Sequence, residues 1–187
     1  MIKAIIFDIG GVLRENIELN DFWGAFKNTD KLRKGFGTGK ISTKKFIKKG
    51  AKLLKISESK FLREYKRVYN KPELDKEVFD IYKRIKVKKY LLSDTNPLHN
   101  NYEKRKYNHI FKIANKVFLS YKIRLRKDNV KTFKIIIQKI KTAPGETLMI
   151  DDSLKNLKNA KKAGVNILLF KNAKQLEQEL RKFGISI

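Results

Sequence analysis

Three carboxylates in this sequence stand where apolar runs stop. Asp8 closes the run Ile2, Ala4, Ile5, Ile6, Phe7 and is followed by Gly10 and Gly11, while Asp151 and Asp152 close the run TLMI. Acids delivered to one rim suit a hard divalent cation such as magnesium, which takes a few carboxylates together with water and substrate phosphate oxygens. Asp152 and Ser153 read equally well as the cap of the helix that follows, and Asp8 at a matching position favours the cation cradle. Other run ends supply anion binders. Ser93 ends YLLS and offers a hydroxyl to a phosphate oxygen, the backbone amides of Asp94 and Thr95 point at the same rim if a helix follows, and Lys127 in the loop IRLRKDN brings a positive charge.

These groups meet only if the apolar runs are parallel strands. The first run is short, β-branched and nearly continuous, as strands covered on both faces are. Val87–Ser93, Lys116–Ser120, Thr147–Asp151 and Val165–Phe170 have the same character. Helical stretches at Val130–Lys141 and Leu154–Ala163 separate them, the second closed by Gly164. Residues 14 to about 85 read differently. Phe22, Trp23 and Phe26, then Phe46, Ile47, Leu53 and Leu54, then Phe61, Leu62, Tyr65, Val68 and Tyr69 recur at helical spacing. Ser57 stands as a cap before the third group, and Pro72 precedes a further helix around Lys76–Ile85. The expectation is a doubly wound, Rossmann-like α/β core of residues 1–13 and 86–187, interrupted by a helical subdomain over 14–85.

Composition bounds the function. The 187 residues are long enough for one packed core. The absence of cysteine removes disulfides, thiolate metal sites and cysteine nucleophiles. No apolar run approaches the roughly 20 residues that span a bilayer, and no cleavable signal pattern precedes Asp8, so a soluble cytoplasmic protein with no membrane partner is expected. Lysine and arginine total 45 against 19 acids, a formal net charge of +26. That surface attracts polyanions and suits nucleic acid or a phosphorylated small molecule, yet it also matches a general enrichment in Lys, Ile, Asn, Phe and Tyr. The oligomeric state is left open.

In order along the chain, FDIGGVL, LLSDTN, the segment around Lys127 and MIDDS resemble the four motifs of the haloacid dehalogenase superfamily, within it the FDxGxV subgroup that includes sugar-phosphate phosphatases. The resemblance spans nearly the whole chain and implies a magnesium-dependent phosphohydrolase. Asp8 is then the nucleophile that forms an aspartyl phosphate, and Lys127 its catalytic partner. Magnesium is held by Asp8, the Gly10 carbonyl and Asp152, with Asp151 close by. Ser93, Asp94 and the Gly10–Gly11 turn face the substrate, and Asn156 supports the acids from behind. Residues 14–85 become the cap over the site.

Three departures from that pattern bear on function. Most phosphatases of the family carry a second aspartate two residues after the nucleophile as general acid and base, where this chain has Gly10. General acid–base help contributes roughly 10² to 10⁴ in rate, so slow turnover or substrates with good leaving groups are expected. Dehalogenases of the family also lack that acid, but not usually with a paired-acid motif such as MIDDS. Asp94 stands where a neutral Asn is common, and the third motif lacks its usual glycine and proline, with Arg124 and Arg126 available to offset Asp94 or grip a larger anion.

GFGTGKIS, residues 35–42, looks like a phosphate loop but fails the pattern: Lys34 stands five before Gly39, Ile41 follows Lys40, and no strand precedes it. It reads as a turn between cap helices, placed to close over the site. His99 and His109 have no partner at metal-ligand spacing; His99, shortly after LLSDTN, reads as a surface or loop residue, with an approach to the substrate as the alternative.

Overall fold

A computed structural model describes residues 1–16 and 29–187, so the expected helix around Phe22, Trp23 and Phe26 lies outside the described residues. Its frame is a five-stranded, wholly parallel sheet in the order β3–β2–β1–β4–β5. The strands are β1 (Ala4–Phe7), β2 (Lys88–Ser93), β3 (Lys116–Leu119), β4 (Thr147–Asp151) and β5 (Asn166–Leu169). The chain runs from β1 outwards through β2 to β3, then crosses to β4 on the other side of β1. The carboxyl ends of β1 and β4 therefore flank the switch point, where ligands of such sheets bind.

Alternate side chains divide between two buried layers. Ile5, Phe7, Leu91, Leu148 and Ile150 pack under α4 (Lys76–Arg84), α6 (Asn108–Lys112) and α10 (Ala173–Lys182). Ala4, Ile6, Tyr90, Leu92 and Met149 pack under α8 (Val130–Ile140) and α9 (Leu154–Lys162). Burial on both faces explains why these strands read as unbroken apolar runs. The ladder is a residue or so shorter than the runs at the starts of β2 and β5 and at the ends of β3 and β5.

A third core belongs to α1 (Asp30–Gly37), α2 (Thr43–Leu54) and α3 (Glu58–Tyr69), where Leu32, Phe36, Phe46, Phe61, Tyr65 and Tyr69 pack together. Phe36 and Phe46 stack with centroids 4.0 Å apart. Gly50 lets the layers close, since a Cβ there would lie 2.3 Å from the Phe61 ring. Ser42 and Ser57 cap α2 and α3, accepting from the backbone N–H of Lys45 and Lys60.

The helical stretch expected to reach residue 85 as one subdomain is divided. α4 packs on the sheet rather than with α1–α3, because its apolar stripe of Val78, Ile81 and Tyr82 joins the β1 and β2 side chains, with the Tyr82 ring 5.1 Å from Phe7. Lys89, reaching back from β2, donates to the carbonyls of Tyr82 and Ile85 at 3.0 and 2.9 Å and so caps the end of α4. Contact between α1 and the sheet domain is made at α7 (Ser120–Ile123): the buried Ser120 hydroxyl donates to Gly37 O at 2.7 Å and accepts from Thr95 N–H at 3.0 Å. At Gly39, φ is +67° and a Cβ would lie 2.3 Å from Tyr121 O, so only glycine permits that approach.

Candidate active site

β1 ends at the rim with its last ladder bond made by Asp8, whose N–H reaches Ile150 O at 2.9 Å. The Asp8 carboxylate accepts from the N–H of Ile9 through Oδ1 at 2.7 Å, and its Oδ2 is bound to Lys127 Nζ. The same ammonium donates to Asp151 Oδ2 at 2.7 Å. Asp151 is held from behind by Asn156 Nδ2 at 3.0 Å and the N–H of Ser153 at 2.8 Å. Asp152, half-buried beside it, accepts from Asn16 Nδ2 at 2.7 Å. One oxygen from each of Asp8, Asp151 and Asp152 lies within 4.8 Å of the others, a donor set of hard oxygens that fits a magnesium ion. Gly11 makes this turn possible: its φ is +77°, and a Cβ would stand 2.4 Å from Asp152 Oδ2.

The electrostatics follow from two buried acids sharing one buried base. Burial pushes the Asp8 carboxyl up to about 7; Lys127 opposes that rise, and Asp151 adds to it. Burial alone would lower the Lys127 ammonium, but Asp8 and Asp151 outweigh it and hold the proton more tightly than in a free lysine. Asp94, raised by burial against the pull of Arg126 and Lys127, is the residue that shapes the third-motif loop. It accepts from the Lys127 backbone N–H at 3.1 Å and pairs with Arg126 at 3.3 Å. Arg126 thus faces the Asp94 carboxyl, and the backbone bond ties the loop at Lys127 to the end of β2.

Asp8, Gly10, Ser93, Asp94, Lys127, Asp152 and Asn156 all line one cavity of about 700 Å³. Asp151 sits fully buried beneath it. Gly11 is not among the lining residues described and instead faces Asp152. α1 contributes Arg33, Lys34 and Gly37, so part of GFGTGKIS does reach the site, as helix end rather than as turn.

Sequence reasoning did not find Arg14. It is 5% exposed, lines the cavity, and donates through Nε to Glu103 Oε1 at 2.8 Å, through Nη1 to Glu15 O at 2.6 Å and through Nη2 to His99 Nε2 at 2.8 Å. His99, expected at the surface, is buried in the first turn of α5 (Pro97–Lys106) with its ring against Tyr69. Asn96 caps that turn, which carries the backbone inward and His99 with it. Burial pushes Glu103 up, but His99 and Arg14 hold it below the ordinary carboxylate range.

The sheet order and the acids at its switch point define a doubly wound, Rossmann-like α/β protein with an acidic site at the carboxyl ends of its strands. Residues 2–164 match the family of haloacid dehalogenase-like hydrolases. The chain belongs to that family. Solved structures share the fold: a HAD family enzyme from Bacteroides thetaiotaomicron in complex with magnesium and inorganic phosphate is 22% identical, with a TM-score of 0.77 over 91% of this chain and 95% of that one. A predicted HAD-like family hydrolase from Porphyromonas gingivalis is 23% identical, with a TM-score of 0.80 over 98% of each chain. The L-2-haloacid dehalogenase from Xanthobacter autotrophicus with chloropropionic acid covalently bound is 15% identical, with a TM-score of 0.63 over all of this chain and 85% of that one.

Proposed function

We propose that this protein is a magnesium-dependent phosphohydrolase that acts on a small phosphorylated metabolite through an aspartyl-phosphate intermediate. The observation that carries the reading is the Asp8–Lys127–Asp151 cluster beside Asp152 at the floor of a cavity lined by Ser93. Asp8 attacks phosphorus through a carboxylate oxygen, and water then releases phosphate from the acyl bond. Lys127 and the Ser93 hydroxyl take up charge on the transferring oxygens. Asp8, Asp152 and the Gly10 carbonyl would hold magnesium, with Asp151 behind them. When bound, that ion offsets repulsion between the attacking carboxylate and the anionic substrate. The magnesium and phosphate complex of the Bacteroides relative supports this choice.

The relative with chloropropionic acid bound shows that the fold also hosts carbon–halogen chemistry. Asp152 beside Asp8 favours phosphate here, because the third carboxylate completes a donor set for the cation that a highly charged phosphate needs between itself and the attacking carboxylate. α1–α3 act as the cap, since Arg33, Lys34 and Tyr69 line the cavity from that side.

Purified protein with magnesium is expected to hydrolyse at least one member of a panel of sugar, nucleotide and acyl phosphates. Chelation should stop turnover, and Asp8→Asn should lower kcat by on the order of 10⁴-fold or more. Full activity in that variant would end the covalent mechanism. A second reading rests on the net charge of +26: a weak or inactive relative that binds nucleic acid, or an end phosphatase acting on it. Salt-dependent binding of labelled RNA or DNA without hydrolysis of the panel would favour the first form, and release of phosphate from a 5′- or 3′-phosphorylated oligonucleotide the second.

A further inference from the structure

Gly10 lies two residues beyond Asp8, and a side chain there would enter the cavity beside the nucleophile. The space is not empty. A Cβ on residue 10 would lie 3.2 Å from Arg14 Nη2 and 3.5 Å from both Cζ and Nη1. The guanidinium therefore packs against the position from which a side chain on residue 10 would start. The backbone arranges this through a bridge between Gly10 and Arg14 and the Arg14 N–H bond to Ile9 O at 3.0 Å, so the turn that exposes Asp8 also presents Arg14. Glu103, fully buried, fixes the guanidinium through Nε. Of its five N–H groups, three are used by Glu103, Glu15 O and His99, which leaves one on Nη1 and one on Nη2 without a partner among the described residues.

We propose that Arg14 binds the leaving-group oxygen and that the enzyme's substrates are phosphoric anhydrides, acyl phosphates foremost, rather than phosphate esters of alcohols. The inference rests on the phosphohydrolase reading above and names its substrate class. An arginine stays protonated and cannot release a proton to an alkoxide. It does stabilise an oxygen that departs already negative, through preorganised N–H donors in a site shielded from water. Asp8 forms its bond to phosphorus as the bond from phosphorus to the leaving oxygen breaks, and that electron pair leaves as a carboxylate or phosphate anion that needs no proton. Water then adds to phosphorus as the Asp8 oxygen departs, and the proton lost by water is carried off on the phosphate product. No group on residue 10 is needed in either step.

The test is a series of aryl phosphates of graded leaving-group pKa, with acetyl phosphate and glycerol 3-phosphate as the two ends of the comparison. For the wild type, log(kcat/KM) is expected to fall steeply as the leaving phenol becomes more basic, and acetyl phosphate should exceed glycerol 3-phosphate by ~10²-fold or more. Arg14→Ala and Arg14→Lys should steepen that slope, with losses of ~10²-fold at the basic end and much less at the acidic end. Arg14→Lys keeps a cation for Glu103, so it reports even if Arg14→Ala fails to fold. A flat wild-type slope, comparable rates on the two end substrates, or a uniform loss with unchanged slope in the variants would overturn the proposal, the last because it is what a purely structural or phosphoryl-gripping arginine gives. Hydrolysis of no phosphate at all would overturn the phosphohydrolase reading itself.

Discussion

Two buried charge clusters flank the turn after β1, and they are built to opposite ends. In one, Lys127 serves two carboxylates, Asp8 and Asp151, and a third acid stands nearby. In the other, Glu103 meets the single strong cation Arg14 and the ring of His99. The first sets three carboxylates against one ammonium, and its Asp8 carboxyl is pushed up to about 7, by burial first and by Asp151 in addition. The second is balanced, and its carboxyl is held low. A cluster left unbalanced inside a cavity is a receptor for a cation and an anion together; a balanced one is a rigid mount. The proposed nucleophile belongs to the first and Arg14 to the second, so the site joins a reactive half to a fixed half across the turn from Asp8 to Arg14.

That contrast can be broken most severely at Lys127. Lys127→Met leaves two facing carboxylates without their cation, and kcat/KM with magnesium should drop by ~10³-fold or more. In chelator the same variant should melt below wild type and recover more on addition of magnesium, read by a thermal scan. Next is Glu103→Gln, which strands the Arg14 charge in the interior; the expected loss is ~3 kcal/mol of unfolding free energy in denaturant titrations, whether or not magnesium is present. A variant as stable as wild type would show that this cluster is not a mount.

The two clusters should also respond to pH with opposite sign. In chelator, the native state keeps a proton on Asp8 that the unfolded chain has released, so between 3.8 and about 7 wild type should lose stability relative to Asp8→Asn as pH rises. The slope is at most ~1.4 kcal/mol per pH unit for one proton. Glu103 contributes stability that is complete above its unfolded range and is lost as pH falls through its lowered folded value, so the gap between wild type and Glu103→Gln should narrow in acid. Parallel titrations of the two variants would erase the distinction. The smallest effect is Ser120→Ala, which removes the hydroxyl shared by Gly37 and Thr95 and should cost ~1 to 2 kcal/mol.

The reactive half was legible in the sequence and the fixed half was not. Asp8, Ser93 and Asp151 announce themselves because each ends an apolar run, and parallel strands put all such ends on one rim. Lys127 sits in an irregular loop as one of 45 basic residues, and resemblance to the family is what gave it weight. Arg14, His99 and Glu103 come from a turn and a helix separated by 89 residues, and no period or spacing links them. Helix α5 has no clear apolar stripe to show which face is buried, which is why His99 looked like a surface residue. The place of α4 was hidden for another reason: a helical period reveals that one face is apolar, not which of two cores it joins.

Ser120 reaches α1 through the carbonyl of Gly37, a main-chain atom, and Gly39 seats the same helix end against Tyr121 O. These main-chain contacts do not use the side chains one turn earlier, where Arg33 and Lys34 face the cavity and Lys34 pairs with Asp128 at 3.1 Å. Substitution of Arg33 is therefore expected to alter which molecules are admitted without moving the helix that displays it. Under the proposed cap role, attachment of the helix and choice of guest rest on different atoms, so a change of guest at Arg33 would leave the acids beneath in register.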